Sequence, residues 1–311
     1  MDSPWSFTEA PWPVLRNLTT TVLDLQRPHS CLGFGTANVT LTMERLRACR
    51  QATRRAVSLH AYVMYCVARA AREHPAVLTY RHGRRLITFD TVDVGTALQK
   101  RMPDGTNLPV VWVLRDADRK SLAQIQHEFR EAVRSDLVDD AVVRKRRRLA
   151  RWPGWLRRWI LRRALNNPFR LRELYGNVQL TNLQLPVRFP FAGFPPQFGT
   201  LTLAAGTVAP GFLPDAQGNP VLAQLMHVSG AIDHDVLDGM PVVAFARRLH
   251  ELLETAAGLD DAYIAETLQL EPLKREARPQ PALTQPELTQ PELTQPELTQ
   301  PAGPRETAPP A

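Results

Sequence analysis

From Val221 to His234 apolar and polar residues alternate, and this long period-2 stretch predicts a strand. The alternation ends on His234. Asp238-Gly239 supplies a turn, and Pro241 to Thr255 then reads as helix, with apolar Val242, Val243, Phe245, Ala246, Leu249 and Leu252. The same helical period predicts Leu59 to Glu73, with Leu59, Val63, Cys66 and Val67 in phase behind a Ser58 cap and a stop at Pro75. It also predicts Ser121 to Arg134, where Leu122, Ile125, Phe129 and Val133 line one face. Leu15 to Gln26 reads as helix closed by Arg27-Pro28, and Glu44 to Ala56 as a polar, basic helix.

Strands are predicted at Leu32 to Met43, Val92 to Leu98, Leu108 to Leu114, Asn177 to Thr181 and Thr200 to Val208. Ala76 to Tyr80 and Leu86 to Phe89 flank His82-Gly83-Arg84, which reads as a hairpin. Globular patterning spans residues 14 to 268, after a proline-bearing arm at 1 to 13. Residues 269 to 311 lose it. From Leu283 the chain repeats Leu-Thr-Gln-Pro-Glu, and a proline every fifth residue forbids both helix and central strand. This tail is expected to be disordered or polyproline-like, since a five-residue unit has no core.

A hydrophobic fraction of 44% suffices for a core, and no apolar run reaches membrane-span length. Met1 to Trp5 lacks the regions of a secretory signal. Cys31, Cys49 and Cys66 show no metal-ligand spacing, which points to a reduced, cytoplasmic protein. The net charge of +7 is uneven: residues 144 to 163 hold ten Arg and Lys and no acid, so the other residues sum to −3. Within that basic insert stand Trp152, Trp155 and Trp159. Three readings fit it: a solvated helix packed on the body by its Trp and Leu residues, a helix on an anionic membrane surface, or a binder of coenzyme A or nucleic-acid phosphates. The acidic remainder and the lack of a base-reading motif argue against nucleic acid.

The chemistry centres on His234. An imidazole at a strand end, with the Asp238 carboxylate four residues on, is a candidate general base. The plainer alternative is that Asp238 caps the helix and His234 is a polar strand-end residue. No metal-ligand cluster, Gly-rich phosphate loop or Ser-His-Asp order competes with this site. Cys66, on an apolar helix face, reads as core.

Six stretches in order carry a family resemblance: Ser58-Leu59-His60-Ala61-Tyr62 through Glu73-His74-Pro75; Val92-Asp93-Val94-Gly95-Thr96-Ala97; Leu108-Pro109-Val110-Val111 with Asp116 to Ile125; Gly176-Asn177-Val178-Gln179-Leu180-Thr181-Asn182; Pro195-Pro196-Gln197 with Ala205-Gly206; and Asp233-His234-Asp235-Val236-Leu237-Asp238-Gly239. Together they cover roughly residues 15 to 265 and resemble the acyltransferase catalytic domain of 2-oxo acid dehydrogenase complexes, within the superfamily of chloramphenicol acetyltransferase. The resemblance implies an α/β two-layer sandwich, a mixed sheet with helices on one face. It also implies a homotrimer with active sites at subunit interfaces.

It implies, too, an acyltransferase using coenzyme A as substrate, with no covalently bound cofactor and no metal. His234 would be the base and Thr181, where the family carries serine, the oxyanion donor; an ordinary strand threonine is the alternative. Asn182 would hold the Thr181 strand. Asp238 would anchor the loop through Arg16 or, less well placed, Arg27. Asp235 replaces the family's arginine after the histidine, so it either raises the His234 pKa or removes a loop anchor. No lipoyl domain or subunit-binding domain is visible, so a stand-alone enzyme is expected, with a thiol or other small acceptor. The rival reading is a catalytically silent relative that binds a membrane surface or a protein through residues 144 to 163, peripheral to the membrane.

Overall fold

β8 (Pro220–Asp233) is the strand on which the sheet is assembled. It pairs antiparallel on both sides, with β1 (Ser30–Asn38) at the edge and β7 (Leu201–Pro214) inside. Beyond β7 lie β6 (Val178–Asn182), β4 (Val94–Arg101) and β5 (Asn107–Leu114), in the order β1-β8-β7-β6-β4-β5. β6 runs parallel to both β4 and β7, so the sheet is mixed. A separate hairpin joins β2 (Thr79–His82) to β3 (Arg85–Thr88) through Gly83, whose φ of +64° suits glycine. In the computed structural model the described residues are 13–25, 29–55, 57–101, 107–135, 140–183 and 189–270. The chain divides into two units, Met1–Pro272 and Leu273–Ala311. The repeat tail, most of the N-terminal arm and Arg27 lie outside the described residues.

The helices α3 (Leu59–Glu73), α4 (Leu122–Arg134) and α8 (Gly239–Glu254) pack together over the sheet. α3 is central and buried nearly all round: Ala61, Tyr62, Val63, Met64, Cys66 and Val67 are fully enclosed. Burying one such Val or Met side chain contributes about 1.5–3 kcal/mol. Ser58 caps α3 by accepting from the Ala61 amide at 3.3 Å. Ser121 and Gln124 form a reciprocal capping box at the start of α4.

The expected strand from Leu32 to Met43 ends early, at Asn38. Its Oδ1 accepts from the Thr40 amide at 3.1 Å and from Thr40 Oγ1 at 2.7 Å, and this side-chain turn starts α2 (Thr40–Thr53). Two short helices went unpredicted: α7 (Pro168–Tyr175), capped by Asn167, and α9 (Asp261–Gln269), capped by Asp260.

α7 is locked to β4. Gly95 leaves room for the carbonyl of Tyr175, which a Cβ there would meet at 1.8 Å. Beside it the buried Asp93 carboxylate accepts from Arg172 Nε at 2.7 Å, Arg115 Nη1 at 2.9 Å and the Asp116 amide at 2.9 Å. Burial alone would raise the Asp93 pKa; Arg172, the Asp116 amide and Arg115 outweigh it and hold the carboxyl below its ordinary range.

The basic insert forms α5 (Asp140–Ala150) and α6 (Gly154–Leu165), both against α1 (Arg16–Leu23). Arg157 Nε donates to Thr21 Oγ1 at 2.7 Å, Arg158 pairs with Asp24, and Asn17 donates to the Ala150 carbonyl. This corrects one reading of the insert. Its arginines, not its tryptophans, fasten it, while Trp155 and Trp159 stand 72% and 61% exposed. No helix among the described residues is long and apolar enough to cross a membrane.

Candidate active site

β8 delivers its last residue, Asp233, into a buried position, where its amide donates to the Thr200 carbonyl at 3.0 Å. The backbone then turns. The amides of Val236 and Leu237 both donate to the Asp233 carbonyl, and Leu237 is buried as the plug of the turn. His234 is left exposed at the rim, its amide donating to the His29 carbonyl at 2.9 Å. α8 opens at Gly239. Asp238 occupies its N-cap position, exposed and without a side-chain cap bond, so the plain capping role is not realised.

Asp235 proves to be an anchor of the loop. His29 Nδ1 lies 2.7 Å from its Oδ1, and Arg81 Nη1 lies 3.1 Å from its Oδ2. The His29 hydrogen bond, with the charges of His29 and Arg81 assisting, holds the Asp235 carboxyl below its ordinary range. Where the resembling family carries an arginine after the histidine, this chain has Asp235, and the arginine at this contact is Arg81 of β2. A cleft of about 540 Å³ adjoins this pair, lined by Arg81, His82 and Gly83 of the hairpin, Arg163 and Asn167 beyond it, and Asp235.

Thr181 sits half-buried on β6 and Asn182 is exposed beside it. Strand register fixes their distance from the histidine. Thr181 pairs with Ala204 on β7, and Ala204 pairs with Ser229 on β8. His234 follows Ser229 by five residues. Two strand spacings and five residue rises place the two sites about 19 Å apart. One chain therefore does not bring Thr181 and His234 together. Nor does it join Arg16 to Asp238: Arg16 is exposed on α1, and no ion pair links the two among the described residues.

His29 and Arg81 were missed by sequence reasoning. The hairpin carrying Arg81 is legible as a hairpin, but nothing local tells which loop it faces. Among the described residues no three His, Cys, Asp or Glu side chains cluster as metal ligands.

Comparison with known proteins agrees with this architecture. Residues 25–137 match the family model of the 2-oxoacid dehydrogenases acyltransferase catalytic domain. A comparison with curated proteins finds no match. Among solved structures, the cubic core of the pyruvate dehydrogenase multienzyme complex is 19% identical, with 82% of this chain and 94% of that chain covered and a TM-score of 0.59. The dihydrolipoamide acetyltransferase of Azotobacter vinelandii is 18% identical, with 82% and 94% covered and a TM-score of 0.58. A truncated catalytic core of the 2-oxoacid dehydrogenase complex from Thermoplasma acidophilum is 17% identical, with 81% and 100% covered and a TM-score of 0.52. The Azotobacter study concerned a serine, a histidine and an asparagine four residues after that histidine in the catalytic mechanism. The chain therefore resembles this acyltransferase family in the sequence of residues 25–137 and in the fold of the four-fifths of the chain that these structures cover.

Proposed function

We propose that this protein transfers an acyl group between coenzyme A and a small thiol, at sites shared between two subunits of a homotrimer. The observation that carries the reading is the exposed His234 at the end of β8, on a fold of acyltransferase type, with a hydroxyl donor on a strand it cannot reach within its own chain. A neighbouring subunit that supplies Thr181 to the His234 of this one resolves that separation. Symmetric assembly then repeats the shared site at every interface.

The chemistry follows from the two groups. The neutral His234 imidazole takes the proton of the attacking thiol. The thiolate sulfur bonds to the thioester carbonyl carbon, and the carbonyl electron pair moves onto oxygen. Thr181 Oγ donates a hydrogen bond to that oxyanion. The carbonyl re-forms as the carbon–sulfur bond to coenzyme A breaks, and the imidazolium returns the proton to the departing thiolate. Thr181 keeps the hydroxyl of the serine studied in the Azotobacter enzyme, and Asp238 stands four residues after His234, the offset of its asparagine. The cleft bearing Arg81 and Arg163 suits the phosphates of coenzyme A.

Release of free coenzyme A from an acyl donor, followed with a thiol reagent, tests the reading. His234→Ala is expected to abolish transfer, and Thr181→Ala to slow it about a hundredfold or more. Full activity in His234→Ala would refute it.

A further inference from the structure

Between β1 and α8 the core layer is left open. On the face of β1 turned to α8, alternation places Cys31, Gly33, Gly35 and Ala37. Two glycines in that row remove the side chains that would fill the space. A Cβ added at Gly33 or Gly35 meets no heavy atom within 4 Å. Gly230, the register partner of Gly33, continues the same floor. The outcome is a groove of about 290 Å³, walled by Leu203, Val242, Phe245 and Leu249. Glycine weakens a strand, and its use there commonly marks the close approach of something else.

The groove has a direction. One end begins at Cys31 and Ile232, each two residues from the His29–His234 backbone hydrogen bond, about 7 Å along the strands. From there it follows β1 to Ala37, a run of about 20 Å. An acetyl group would occupy only its mouth.

We propose that the groove holds the hydrocarbon part of the transferred acyl group, an unbranched chain of medium length, with its carbonyl at the His234 end. This rests on the acyl-transfer reading and names its substrate class. Apolar walls over a glycine floor exclude polar acyl groups by desolvation, and about 290 Å³ spread along that run makes the groove long and narrow, the shape of an unbranched chain. Each further methylene buried strengthens binding about fourfold.

Cys31 gives a readout independent of turnover. It is exposed at the mouth of the groove, whereas Cys49 and Cys66 are buried. The native full-length protein is alkylated with a thiol reagent with and without decanoic acid, and acetyl- and decanoyl-coenzyme A are compared as donors. Decanoate is expected to slow Cys31 labelling, and decanoyl transfer to exceed acetyl transfer in kcat/KM at least a hundredfold. Gly33→Leu, which fills the floor, removes both effects, and Gly33→Ala, which adds one Cβ to open space, weakens them. Circular dichroism and native mass confirm that both variants keep their fold and subunit number. Equal use of the two donors with no protection of Cys31 would overturn the groove while leaving acyl transfer standing. Cys31 shielded without any ligand would also overturn it, because a second copy then covers the edge strand. Protection by decanoate that Gly33→Leu abolishes, with no transfer from any donor, would retain the groove and refute the acyl-transfer reading.

Discussion

His60 ties stability to pH. It lies in the first turn of α3 with 3% of its surface exposed, its Nε2 2.9 Å from Thr96 Oγ1 and its ring against Phe129. Burial lowers its pKa from 6.5 to about 4, and its Nδ1 faces no partner among the described residues that could accept a second proton. In the unfolded chain the same imidazole titrates at its ordinary value. Between pH 6.5 and 4 the unfolded state therefore binds more protons, and stability falls as pH falls. At 1.36 kcal/mol per pH unit the loss across that window is about 3 kcal/mol. Above pH 6.5 the contribution is complete. Urea unfolding of the wild type and of His60→Gln at steps from pH 7 to pH 4 isolates it, because other titrations cancel in the difference. The wild type is expected to lose about 3 kcal/mol more than the variant. Parallel curves for the two proteins would show that His60 is not held neutral by burial.

Two other perturbations follow from the ion pairs. Asp93→Asn strips the charge from the carboxylate that Arg172 and Arg115 enclose and is expected to cost about 3 kcal/mol in urea unfolding, the order seen when one partner of a buried pair is lost. Its depressed pKa means that this stabilisation is present above about pH 4 and fades as pH falls below it, so the gap between Asp93→Asn and wild type should narrow in acid. Arg81→Asp sets two carboxylates face to face at the His234 loop and should lower kcat; the double variant Arg81→Asp, Asp235→Arg, which restores the pair, should recover most of it, and no recovery would show that the pair does not position the loop.

Much of this architecture is legible in the chain because the elements that build it are periodic. α3 begins and ends where its apolar phase, Ser58 and Pro75 place it. β8 and α8 appear within a residue or two of their predicted bounds, which alone delivers His234 to a strand end. What was not legible depended on side chains that local pattern does not weigh. Val39, Leu41 and Met43 alternate like a strand, yet Asn38 and Thr40 close a turn and Thr42 binds the Leu253 carbonyl, which commits the segment to helix. Asp235 looked like a lost anchor, and only the tertiary placement of Arg81 and His29 shows it to be one. The distance between Thr181 and His234 was equally hidden, because strand order is not written in strand composition.

That distance divides two accounts of the site. If each site takes its histidine from one subunit and its threonine from the next, chains carrying His234→Ala and chains carrying Thr181→Ala should complement one another. Each variant alone is expected to be impaired about a hundredfold or more. Co-expressed in equal amounts, they should assemble mixed trimers in which about a third of the interfaces, one per trimer, pair an intact His234 with an intact Thr181. Coenzyme A release by the mixed trimers should then recover to about a third of the wild-type rate. Mixed trimers of confirmed composition no more active than the two parents would contradict a site shared between subunits.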